Sequence, residues 1–132
     1  MNRNIDIFFR HPIDEILMVV STAELLNDTI SFTSKGEIRD FVKKQKEALQ
    51  AVSLRMDKIL KRIVSETAAL TASTEWARRV RSILDKLEEI EDFTAHSSLE
   101  SNISTIRNYA ALIIAYLNGA RATITLYEDL TE

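Results

Sequence analysis

The side chains that could do chemistry are few in this chain and poorly arranged for it. There are two histidines, His11 and His96, and no cysteine. Neither histidine has a Glu three residues before it, the helical pattern that builds carboxylate di-metal sites. The richest carboxylate group, Glu88, Glu89, Glu91 and Asp92, has no histidine in its run and reads as a solvated helix face. No P-loop, Gly-rich phosphate cradle or Ser-centred nucleophile motif occurs. Zero Cys excludes thiol catalysis, a disulfide framework and Cys-ligated zinc. The expectation is a protein that is not an enzyme, with no catalytic residue, no metal site and no cofactor.

The arginines form the one constellation with a chemical use. Arg78, Arg79 and Arg81 fall at the beginning of one expected helix, with Arg62 near the end of the helix before it. Arg121, on the last helix, falls inside that helix's apolar arc. Folded into an antiparallel bundle, these five converge on one pole, opposed only by Glu66 and Glu75. Guanidinium groups so gathered suit a partner's acidic segment, a phosphate or a nucleic-acid backbone. The competing account is a solvated charged end. A net charge of −3 gives the chain no global attraction to nucleic acid, so that partner ranks second.

The elements that must position these residues are helices. Two Gly and one Pro in 132 residues cannot supply the turns of a many-stranded sheet protein. The apolar fraction of 45% is that of a globular chain, long enough for one core. Helix 1 starts at Pro12 and carries Ile13, Ile16, Leu17, Val20, Ala23 and Leu26, with Phe8 and Phe9 against the core ahead of it. Helix 2 opens on the capping box Ser34-Lys35-Gly36-Glu37. It runs to about residue 70, its apolar stripe passing through Ile59, Ile63, Thr67 and Leu70. The Thr/Ser-rich stretch 71–74 ends it. Helix 3 carries Trp76, Val80, Ile83, Leu84, Leu87, Ile90 and Phe93. A second box, Ser97 to Glu100, opens helix 4. There Leu99, Ile103, Ile106, Ala110, Ile113, Leu117, Ala120, Ile124 and Tyr127 keep a coiled-coil spacing. Tyr109, Leu112 and Tyr116 widen its apolar arc, so this helix should touch several neighbours. Asn118-Gly119 is a candidate kink, with Gly admitting another helix closely.

The expected fold is therefore all-α: residues 1–132 as a single antiparallel bundle of four helices, one of them long. That long helix creates a packing problem. Its first half has only helix 1 to cover Ile38, Phe41 and Val42. Either helix 2 bends near Ser53, or a second copy supplies the missing helices. Met18 and Leu25, seven residues apart on the outer face of helix 1, favour the second copy. A homodimer is thus expected, with Met18, Leu25, Ile38, Phe41 and Val42 facing the partner.

Charge is uneven along the chain. Residues 35–62 hold nine Lys or Arg against four acids, and residues 82–132 hold nine acids against three. Pairing of Arg55 and Lys58 with Glu88, Glu89 and Glu91 on helix 3 would absorb part of it. The longest apolar run, 109–117, is far short of the roughly 20 residues of a membrane span, and the start of the chain lacks a signal-peptide pattern. Taken together, these features point to a cytoplasmic interaction module that binds another protein as adaptor, regulator, inhibitor or chaperone, without membrane contact.

Overall fold

A computed structural model describes residues 22–27 and 29–131, giving backbone only at 126, 127 and 129–131. Among the described residues it is all-α, as the apolar periodicity requires, with four helices packed against each other. The first, α1, is described over residues 22–27. It is followed by α2 (Lys35–Arg62), α3 (Glu66–His96) and α4 (Leu99–Thr131). Phe8, Phe9, His11, Pro12, Met18 and the side chain of Tyr127 lie outside the described residues. Among the described residues, no helix is long and apolar enough to cross a membrane.

The expected long helix is corrected. Helix α2 stops at Arg62, and Ile63, Val64 and Ser65 form the corner. Ile63 takes an extended conformation, with its N–H on the Leu60 carbonyl. Ser65 caps α3 by accepting a hydrogen bond from the Ala68 N–H, and Glu66 follows in the first turn, where negative charge suits the helix dipole. Thr67 and Leu70 thus belong to α3, and both face solvent. The stretch 71–74 is helix, because Thr71 and Thr74 turn their hydroxyls back onto the carbonyls of Thr67 and Leu70 at 3.0 and 2.9 Å.

This shorter α2 removes the packing problem. The three long helices have 28, 31 and 33 residues, or roughly 42 to 50 Å each. Each packs against the other two. Ile38, Val42 and Leu49 meet Ile83, Leu87, Ile90, Ile106, Ile113 and Leu117 in one half of the core. Val52, Met56, Ile59 and Ile63 meet Ala72, Ala120 and Ile124 in the other half, under Trp76. Neither a bend at Ser53 nor a second copy is needed to cover the first half of α2.

Helix α4 has two buried faces. Its coiled-coil stripe faces α2 and α3, while Ala111 and Ala115, on another side, receive Ala23 of α1 with Leu26 and Ile30 beside it. The small side chains let the two helices approach closely. Arg107 holds the end of α1 by donating to the Asn27 carbonyl at 2.8 Å. A helix terminus leaves its last carbonyls unpaired, and a cation there also suits the dipole. Gly119 has a different place from the one expected. Helix α4 is uninterrupted through it, and a Cβ added there would meet nothing within 4 Å.

The helix starts follow their serines, with two adjustments. Ser34 accepts from the Glu37 N–H at 3.2 Å. The Glu37 carboxylate reaches one residue further back than in the usual box, taking the N–H and hydroxyl of Thr33 at 2.9 and 2.6 Å. These bonds hold Glu37 below the usual carboxylate range. Ser97 closes α3 with its N–H on the Phe93 carbonyl. It is Ser98 that starts α4, accepting from the Ser101 N–H at 3.3 Å.

Candidate functional site

The five arginines do not form the expected pole. Helix α3 begins at Glu66, so Arg78, Arg79 and Arg81 sit several turns inside it, where the terminal dipole no longer acts on them. Arg78 pairs with Glu75 at 3.1 Å and Arg81 with Asp85 at 3.1 Å, both within α3. At 3.6 residues per turn, Arg79 points roughly 160° away from Arg81. Arg79 is half-buried, whereas Arg78 and Arg81 are exposed. Arg121 is exposed beside the buried Ala120, not inside the apolar arc, and donates to the Asn118 side-chain oxygen at 3.2 Å.

Arg62 lies elsewhere, among cations that face the end of α4. There Arg55 clamps Glu128 through Nε at 3.0 Å and Nη2 at 3.2 Å, with Thr125 Oγ1 at 3.3 Å. Both members of the pair are a third or more exposed. The Arg55 hydrogen bond lowers the Glu128 carboxyl, and the positive charges of Arg62 and Lys58 add to the effect. Arg55 itself is raised by the same bond. The expected pairing of Arg55 with the acids of α3 is thus corrected, because the early end of α2 shifts its register against α3.

The acids of α3 have other partners. Glu91 meets Lys46 Nζ at 2.6 Å. Glu89 accepts a hydrogen bond from the Tyr109 hydroxyl, which raises that phenol above its usual range. Tyr109 and Tyr116 are half-buried core-edge aromatics, Tyr109 stacked on Phe93 and Tyr116 beneath Lys86 Nζ at 5.4 Å. His96 is exposed in the last turn of α3. Among the described residues, no three His, Asp or Glu gather as a metal site.

One concave feature runs between α2 and the second half of α3, with a volume of about 520 Å³. Ile38 and Val42 form its floor, 1% and 6% exposed, with Thr94 and Ala95 as its far side. Thr94 is buried, and its hydroxyl is satisfied by the Ile90 carbonyl at 2.7 Å. The near wall is a ridge of α2: Arg39, Lys43, Lys46 and Gln50, with Glu47 beside them. The first three side chains carry three positive charges along about 11 Å of helix.

The groove exists because α3 changes character along its length. Glu91 faces Lys46 across the cleft, but one turn further on α3 offers only Thr94 and Ala95. Those side chains are too small to fill the space and carry no charge to meet Arg39 and Lys43. Among the described residues, neither of those two cations has an ion-pair partner.

Of the residues expected at a partner interface, Ile38 and Val42 therefore lie under this groove, covered by their own chain. Phe41 is half-buried on another side of α2, edge-on to Phe32 at 5.5 Å. Leu25 is 77% exposed on α1 and lines neither the groove nor the Phe32–Phe41 contact. Sequence reasoning does not bring Arg39, Lys43, Lys46, Thr94 and Ala95 together as one site. Their signal was present as cations recurring at steps of four and three, opposite a pair of small residues. Compared with known protein families, characterised proteins and solved structures, the chain matches none.

Proposed function

We propose that this protein is a non-enzymatic interaction module that binds another protein through the groove between α2 and α3. The observation that carries the reading is the groove itself, a concavity with an aliphatic floor and a polar wall. Clefts between the helices of bundles are common binding sites, and a volume of about 520 Å³ falls in their usual range. In this reading the protein works in the cytoplasm as an adaptor or regulator. A homodimer is no longer required to cover Ile38 and Val42, and Leu25 is left as the exposed aliphatic of α1.

The rival reading, a phosphate or nucleic-acid backbone held by Arg62, Arg78, Arg79, Arg81 and Arg121, has less support. Two of the five are paired within α3, and Arg79 diverges from both.

A tagged pull-down from the source lysate, with and without nuclease, tests the choice when run beside Ala95→Trp. The substitution fills the groove from an exposed position. A stoichiometric protein that survives nuclease and is lost with Ala95→Trp is the expected result. Capture unaffected by Ala95→Trp would remove the groove from the account. Capture abolished by nuclease would favour the arginines.

A further inference from the structure

We infer that the occupant of the α2–α3 groove is an acidic helical segment of a partner protein, its carboxylates meeting Arg39 and Lys43. This rests on the reading of the groove as a docking surface and names the chemistry that the surface selects.

Three observations converge on it. The first is charge. Arg39, Lys43 and Lys46 stand on one wall, and among the described residues the carboxylates lining the groove are Glu47 and Glu91, so cations exceed acids by one. Glu91 is already engaged by Lys46 at 2.6 Å, which leaves the Arg39–Lys43 end of the ridge positive. The second is spacing. Positions 39, 43, 46 and 50 advance by four, three and four residues and so form one straight row on α2. A helix laid alongside presents its own row at the same spacing, and carboxylates at its i, i+4 and i+7 positions come opposite the cations. The third is precedent within the molecule. Glu91 is a carboxylate on a neighbouring helix, and it already makes with Lys46 the contact that Arg39 and Lys43 lack among the described residues.

The floor supplies the rest. The cleft is about three helical turns long from Ile38 to Gln50, and its bottom is aliphatic for one of them, where the nearly covered Ile38 and Val42 lie opposite the exposed Ala95. An incoming helix needs small or aliphatic residues on the face next to its acids, so the partner segment is amphipathic as well as acidic. This is the helix-in-groove mode of recognition, read through anchors at i, i+3, i+4 and i+7. Arg39 and Lys43 are exposed and contribute nothing to the core, so the ridge can be altered without loss of fold.

The full-length chain, labelled with nitrogen-15, is titrated with three synthetic stapled helices that share one set of Leu and Ala positions. The first carries Glu at i, i+4, i+7 and i+11, the second carries Gln there and the third Lys. The expected result is amide shifts centred on Arg39, Lys43, Lys46 and Ala95, with the Glu helix bound about tenfold more tightly than the Gln helix and the Lys helix not bound. Binding of the Glu helix should weaken with added salt. It should be lost in the double variant Arg39→Glu, Lys43→Glu, whose helicity by circular dichroism stays that of the parent. Equal binding of the Glu and Gln helices overturns the acidic occupant but leaves the groove as a docking surface. If no helix shifts these amides and Ala95→Trp leaves lysate capture intact, the groove reading falls with it. Stronger shifts at the same residues from an oligonucleotide, or from raising the protein's own concentration, give the ridge to that occupant and overturn the inference.

Discussion

Lys46 on α2 and Glu91 on α3 meet at 2.6 Å across the cleft, one helical turn along from the uncharged stretch that Arg39 and Lys43 face. Both side chains are about half exposed. Exposed pairs of this kind contribute roughly 0–1 kcal/mol, because water competes and two long side chains must be held still. A double-mutant cycle with Lys46→Ala and Glu91→Ala should return a coupling of about 0.5 kcal/mol by urea unfolding. In 1 M salt it should fall to near zero. A coupling above about 2 kcal/mol would mean that the cleft is drier than its exposure indicates.

The corrected end of α2 makes a sharp contrast between two leucines. Leu87 is fully buried among the three long helices, whereas Leu70 is 69% exposed. Leu87→Ala should cost about 2–5 kcal/mol, from lost transfer energy and the cavity left behind. Leu70→Ala should stay within roughly 0.5 kcal/mol of the parent. Were α2 a single helix to residue 70, Leu70 would be a core residue and its truncation would cost several times more. Denaturant midpoints of the two variants decide between the arrangements.

Gly119 is a place where this protein can be made more stable. It sits in the middle of α4, without a positive φ, and a methyl group there meets open space. Glycine inside a helix loses more backbone entropy on folding than alanine does. Gly119→Ala should therefore stabilise by about 0.5–1 kcal/mol, raising the thermal midpoint. Destabilisation would show that another helix approaches at that point.

Two carboxylates tie stability to acid. Glu37 is lowered by its bonds from Thr33, and Glu128 by Arg55. A carboxyl whose folded value lies below its unfolded value stabilises the fold above the ordinary carboxylate range. That contribution is lost as pH falls through the lowered value. Carbon-13 titration should find both side chains below free glutamate, and Arg55→Gln should return Glu128 toward the ordinary value while leaving Glu37 unmoved. Ser34→Ala, which removes the cap of α2, should cost about 1 kcal/mol at neutral pH.

Much of this fold is legible in the residues, and the failures have specific causes. The seam of α4 from Ile106 to Ile124 is buried as its spacing requires. Ser34 caps α2 as its motif requires. The α2–α3 corner was misplaced because helical periodicity runs through it without Gly or Pro, whereas the stretch 71–74 has the composition of a loop. Hydroxyls that bond back to their own helix make that composition uninformative there. What marked the true corner was Ser65 followed by Glu66, a helix start embedded in an apparently continuous stripe. The groove was illegible for a related reason. It depends on which α3 residues oppose Arg39 and Lys43, and that register is fixed by where the corner falls. The arginine pole failed with the same error, since moving the start of α3 to Glu66 carries Arg78, Arg79 and Arg81 away from the helix terminus.

The corner at residues 63–65 has one more property. Ile63 and Ser65 have φ values of −77° and −74°, already near those of a helix, and differ from one chiefly in ψ, at 118° and 120°. At these two residues it is rotation about ψ that separates the bent chain from one in which α2 and α3 run on as a single rod. The apolar stripe from Ile59 to Leu70 runs through the corner at helical spacing. Two straightened chains could exchange their α2 segments and rebuild each core from both molecules, which is domain swapping through a hinge. Proline at position 64 would act against it, since a residue before proline is confined to the extended region that Ile63 already occupies. Val64→Pro should leave the monomer intact and suppress any slow, concentration-dependent dimer that accumulates on refolding.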